Sequence, residues 1–184
     1  AGSAFLVTNS SAAMGALAWM FAEWLVNKRP TVLGLASGIV AGLVAITPAA
    51  GFVSVGGAFA IGIIGTMIAF YGVVVMKKKL GYDDSLDAFG VHFLAGLWGA
   101  IATGIFALND QDLLWDGPLK ASGDRMGQLF VQFESVLVVG LFTLVGTVVV
   151  YYIAVLLTGG KRVSEDTEAM GLDEAVHGER GFNL

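Results

Sequence analysis

The sequence predicts an all-α, polytopic membrane protein, and three observations carry that prediction. Hydrophobic residues fill 56% of the 184 positions and charged ones only 14%, where soluble domains carry about a quarter. Mean hydropathy is +0.77. Five apolar stretches, 5–27, 32–50, 53–76, 86–108 and 128–158, approach the roughly 20 residues that a helix needs to cross a bilayer core. They are long and continuous rather than short and alternating, which favours helices over a barrel.

The first span ends at the basic pair Lys28–Arg29. The second is short and glycine-rich, and Pro48 and Gly51 in "TPAAG" stop it. Within it, Gly34, Gly38 and Gly42 recur at the four-residue spacing that lets helix backbones approach closely. The third runs into Lys77, Lys78 and Lys79, and the fourth opens after the acidic "GYDDSLD". The fifth is long enough to tilt or to project beyond the bilayer. After Thr158 the composition turns polar, so residues 1–158 are expected to form the membrane domain and 159–184 a cytoplasmic tail.

Basic residues orient the spans, because cytoplasmic loops carry the excess of Lys and Arg. Lys28, Arg29, Lys77, Lys78, Lys79, Lys161, Arg162 and Arg180 all follow odd-numbered spans. Only Lys120 and Arg125 fall in the loop after the fourth span, beside Asp110, Asp112, Asp116 and Asp124. The expected topology places the N-terminus outside and the tail in the cytoplasm of a multi-pass protein of the inner (plasma) membrane.

Few polar groups remain to carry chemistry. With no cysteine there is no disulfide framework, thiolate metal site or cysteine nucleophile. "GGAFAIG" lacks the spacing of a phosphate loop, and no catalytic triad or nucleic-acid surface is recognisable. No cofactor, metal or enzymatic activity is expected. The first 15 residues lack the basic flank and cleavage site of a signal peptide.

His92 lies six residues into the fourth span, about 9 Å from its start at about 1.5 Å per residue. Ionisable groups at that depth face a bundle interior or a pathway rather than lipid. Three roles are open to it: metal ligand, interhelical hydrogen-bonding residue, or pathway and proton-relay residue. The first lacks company, since the other histidine is His177 in the tail. Helical spacing puts Ala88 on the face of His92 and Asp87 off it. Desolvation favours the neutral ring, which both donates and accepts. Asp87, with Asp83, Asp84 and Ser85 as alternatives, is expected to cap the helix that carries His92. Glu23 is expected to pair with Lys28 or Arg29, and Glu134 to sit near the outer interface.

Three stretches, "GLASGIVAGLVAITPAAGFVSVGGAFAIG" (34–62), "DDSLDAFGVHFLAGLWGAIATGIFA" (83–107) and "GLDEAVHGERGFNL" (171–184), together resemble the ammonium transporters of the Amt/Mep/Rh superfamily. The tail favours the bacterial and archaeal Amt branch. The resemblance implies the second inverted-repeat half, plus the final long helix, of an ammonium-transporter fold. It makes His92 one of twin histidines in a hydrophobic pore, with Val40 and Ala88 lining the pore nearby. Ser3, in "AGSA", resembles a serine of the outer ammonium-recruitment site, and Asp87 a helix-end structural aspartate. In the tail, Gly171, Asp173, His177, Gly178 and Glu179 resemble a regulatory segment that packs under a homotrimer and couples to a PII-type signalling protein. The partner histidine would come from the N-terminal half of the transporter, so the chain, which starts without methionine, is expected to be a fragment or one piece of a split polypeptide. Family members carry about ten more residues after "AGSA".

The function expected is passage of ammonium, or ammonia and its proton, across the lipid bilayer, with methylammonium as an analogue and no nucleic-acid partner. Removing the proton avoids the desolvation cost of a bare cation in a dry pore. Two other readings stay open: an Amt-like ammonium sensor signalling through its tail, and a non-conducting fragment that only pairs with helices.

Overall fold

The computed structural model describes residues 1–107, 125–179 and 181, and among them the chain is helical. The acidic loop residues Asp110, Asp112, Asp116 and Asp124, with Lys120, lie outside the described residues, as does Arg180. Helix α1 runs Gly2–Asn27, α2 Val32–Ile46 and α3 Val55–Tyr71. A wide π-helical segment, π1 (Gly72–Met76), extends α3 into the short α4 (Lys77–Leu80). A second, π2 (Ala88–Leu94), leads into α5 (Ala95–Phe106). Then come α6 (Arg125–Thr158), α7 (Glu165–Met170) and a last wide segment, π3 (Asp173–His177). The residues divide into two compact units, Ala1–Leu137 and Val138–Leu184.

Among the described residues, four helices are long and apolar enough to span a membrane: Gly2–Asn27, Val55–Leu80, Ala88–Phe106 and Arg125–Thr158. The stretch expected at 32–50 is shorter, with α2 covering 15 residues. Pro48 explains the difference, since it has no N–H to continue the ladder. The chain turns instead through tight i→i−3 bonds, Thr47 N–H to Val44 O (3.3 Å), Ala49 N–H to Ile46 O (2.9 Å) and Phe52 N–H to Ala49 O (2.9 Å).

The first unit is built on close backbone contact. A Cβ at Gly15 would lie 2.4 Å from Gly38 O, and one at Gly42 2.5 Å from Ser11 O, so α1 and α2 meet without intervening side chains. Ser11 uses the same contact to donate its hydroxyl to Gly42 O at 2.8 Å. At the α2–α5 crossing a Cβ on Gly99 would sit 2.1 Å from Ala45 O. Trp98 Nε1 donates to Ile61 O at 3.1 Å, which joins α5 to α3. Around these contacts Val7, Trp19, Ile46, Ile61, Ala69 and Phe70 form the core.

Gly34 belongs to a different arrangement from Gly38 and Gly42. A Cβ there would meet Glu23 Oε2 at 2.3 Å. The Glu23 carboxylate, buried to 9% exposure, accepts from Thr31 N–H at 2.8 Å and Thr31 Oγ1 at 3.0 Å. Thr31 Oγ1 in turn accepts from Gly34 N–H at 2.9 Å, which caps α2. This corrects the expected Glu23 pair with Lys28 or Arg29. Lys28 closes α1 in the left-handed region, φ 64°, and its Nζ donates to Leu25 O at 3.2 Å.

In contrast to this core, α6 buries none of its described residues. Glu134 is exposed on it, and Arg125 Nη1 donates to Ile105 O at the end of α5. In the second unit Arg162 grips Glu168 through two bonds, Nε–Oε2 at 2.9 Å and Nη2–Oε1 at 2.5 Å.

Candidate functional site

His92 sits in π2, where the backbone is wound more widely than an α-helix. The i, i+4 rule that placed Ala88 beneath it assumes 3.6 residues per turn, so it loosens here. Ala88 and His92 are both exposed, and His92 has no hydrogen-bond partner among the described residues. On the same segment Phe89 and Phe93 stack, ring centroids 5.1 Å apart, and Tyr82 meets Phe89 edge-on at 5.4 Å.

The start of π2 is held by one of the alternatives offered beside Asp87. Asp84, not Asp87, is the cap: Oδ1 accepts from Ala88 N–H and Oδ2 from Phe89 N–H, both at 2.9 Å. Asp87 adopts the left-handed region, φ 54°, and its side chain makes no capping bond to the helix. It pairs instead with Lys77 Nζ at 2.7 Å, and the same Nζ donates to Asp84 O. Lys77 had counted only toward orientation. The signal for its further role was the turn "LGYDD", whose Gly81 (φ 65°) folds the lysine back over the aspartates.

Val40 lies on α2, 39% exposed, and α2 packs against π2. Val44, one turn further along the same helix, lies 3.7 Å from a Cβ built on Gly96. Ser3 is exposed in the first turn of α1.

In the second unit the tail residues form one small turn. Gly171 (φ 93°) precedes π3 and Gly178 (φ 67°) closes it in the left-handed region, both conformations that glycine tolerates and other residues resist. Glu179 N–H donates to Asp173 O at 2.9 Å. His177 is the last residue of π3. Beyond it, Glu168 is held below the usual carboxylate range by the hydrogen bond from Arg162.

Comparison with known proteins gives the family. Residues 1–182 match the family model described as the Ammonium Transporter Family. The ammonium transporter of Bacillus subtilis (strain 168) is 44% identical over 192 residues, covering 97% of this chain and 44% of the relative. That of Aquifex aeolicus is 43% identical over 98% of this chain and 41% of its own length. The crystal structure of Candida albicans Mep2 superposes with a TM-score of 0.75 at 30% identity, covering 89% of this chain and 37% of that one. A structure titled Sensor Amt Protein gives 0.77 at 31% identity, with 95% and 42% covered. The chain thus spans less than half the length of the curated relatives it matches.

Proposed function

Because this multi-pass membrane chain belongs to the ammonium transporter family, we propose that it supplies one side of a hydrophobic ammonium pathway with His92 on its wall. The observation that carries the reading is the exposed imidazole, with no hydrogen-bond partner among the described residues, in a wide turn of an otherwise apolar span. Ionisable groups in such spans face a cavity or pathway rather than lipid. Ala88 and Val40 line the same route, and a second histidine from the N-terminal half of the transporter completes the pair.

Ammonium entering such a route gives up its proton, because an unpaired cation in a low-dielectric passage has a large desolvation cost. A neutral imidazole suits the transfer, since one ring nitrogen accepts while the other donates. Ser3 is assigned to outer recruitment, and the turn from Gly171 to Glu179, with Asp173, His177 and Gly178, to regulation. The N-terminus lies outside and the tail in the cytoplasm, where it meets a PII-type protein beneath a homotrimer. The relatives are named as transporters, which points away from enzymatic chemistry.

A second reading, an ammonium sensor, draws on the likeness to the Sensor Amt Protein. Uptake of methylammonium by proteoliposomes carrying the full-length protein separates the two, since a sensor need not conduct. His92→Ala is expected to lower uptake by about tenfold or more, as removal of a pathway group should. Uptake with unchanged rate and unchanged pH dependence would remove His92 from the pathway.

A further inference from the structure

Two wide segments, π1 and π2, pack against each other, and they do so through glycine. A Cβ on Gly72 would lie 3.0 Å from Gly90 Cα, and one on Gly90 3.1 Å from Val73 N. Wide turns are rare and recur at functional sites, so two in direct backbone contact require something to hold both. The fold provides it at the chain reversal between them. Lys77, the first residue after π1, donates to Asp87 Oδ1 at 2.7 Å and to the carbonyl of Asp84. Asp87 immediately precedes π2 and stands at φ 54°, in the left-handed region that is uncommon outside glycine but that aspartate enters more readily than most residues. Asp84 holds the first two N–H groups of π2. A single ammonium group therefore ties the end of one wide segment to the start of the other, five residues before His92.

We propose that Lys77, Asp84 and Asp87 form a latch that keeps π2 in its wide register and so sets the direction in which His92 points along the transport route. The inference rests on the reading of His92 as a pathway residue. All three are positioning residues: they act on the imidazole through the backbone of π2. The Lys77–Asp87 pair is about one-third exposed on both sides, so its contribution to overall stability is small. Its loss lets the first turn relax toward the narrower α-helical winding, which rotates position 92 about the helix axis.

The test uses the full-length transporter containing this segment, with two readouts. The first is the KM and Vmax of methylammonium uptake in proteoliposomes. The second is the rate at which diethyl pyrocarbonate modifies His92, followed by mass spectrometry with His177 as internal reference. Lys77→Met and Asp87→Asn are each expected to lower Vmax about tenfold at unchanged KM, the scale of a small misplacement of a working group. Both should shift the modification rate of His92 several-fold while leaving His177 unchanged, and Lys77→Arg should restore both readouts. Should Asp87→Asn fail to accumulate, the Lys77→Met and Lys77→Arg pair carries the comparison. An unchanged His92 modification rate in the Lys77→Met protein overturns the latch, as does a shifted rate with uptake kinetics intact where His92→Ala itself lowers uptake. If the rate shifts but His92→Ala transports like the wild type, the pathway reading fails and the geometric tie stands.

Discussion

At the scale of single residues, two buried polar groups, Glu23 on α1 and Thr66 on α3, make opposite demands. The Glu23 carboxylate has its acceptor capacity met by Thr31, and Gly34 leaves it room. Thr66 Oγ1 is buried with no partner among the described residues. Gly34→Ala therefore forces a methyl group into the carboxylate, and we expect a loss of about 1–3 kcal/mol in thermal or denaturant unfolding of the full-length protein. Thr66→Val exchanges an unbonded hydroxyl for a methyl of similar shape, and should leave the melting temperature unchanged or raise it. At Glu168 the direction is set by charge. Its folded-state pKa lies below the ordinary value because Arg162 donates to the ionised form. Its stabilisation is present above the unfolded-state pKa and is lost as pH falls through the lowered folded value. An NMR titration of the Glu168 side chain should show the midpoint rising toward the ordinary carboxylate value in Arg162→Gln.

Residue roles were also the least legible part of the sequence. Hydropathy located the spans, because apolar length is a local property. The assignment of Asp87 as the cap failed for a backbone reason. Three aspartates, Asp83, Asp84 and Asp87, stand near the helix start, and the left-handed turn at Asp87 decides which one faces the free N–H groups. No spacing rule contains that dihedral angle. Glu23 was misassigned because its partner, Thr31, arrives only when the chain reverses after Lys28. The face of His92 was estimated from 3.6-residue periodicity, which a π-helical segment does not follow.

At the scale of elements, packing in the first unit depends on the absence of side chains at a few crossings. Gly99 and Ala45 O define the tightest, at 2.1 Å from a built Cβ. Gly99→Ala should push α5 off α2 and cost about 1–3 kcal/mol in unfolding, with the loss concentrated where backbone must move. The small-residue spacing in "GLASGIVAG" was readable from sequence as close helix packing, and Gly38 and Gly42 serve that purpose. The same spacing could not show that Gly34 serves a carboxylate instead. Helix α6 offers the opposite case: its apolar residues were legible as a span, and the described residues bury none of them.

At the scale of the whole molecule, the proposed orientation has a direct consequence for labelling. The sequence contains no cysteine, so single cysteines introduced into this segment report on position without background from it. Replacement of Lys78 and of Lys161 should give sites that a membrane-impermeant thiol reagent reaches only from the cytoplasmic side, while Ser54→Cys should react from outside. The reverse pattern would invert the topology drawn from the basic residues.

The shortness of α2 carries an electrical consequence. Its 15 residues measure about 22 Å, less than the roughly 30 Å of a hydrocarbon core, and the turn that follows packs Ala49 and Val53 inside the protein. Irregular backbone at that depth needs protein or water around it, never lipid. Where water follows the turn inward, the conductive phase enters the membrane and the insulating layer thins. A transmembrane voltage, equivalent to about 2.3 kcal/mol per elementary charge for each 100 mV, then falls over a shorter distance than elsewhere in the bilayer. Any charge moving beside α2 crosses that voltage in fewer ångströms, in a steeper local field.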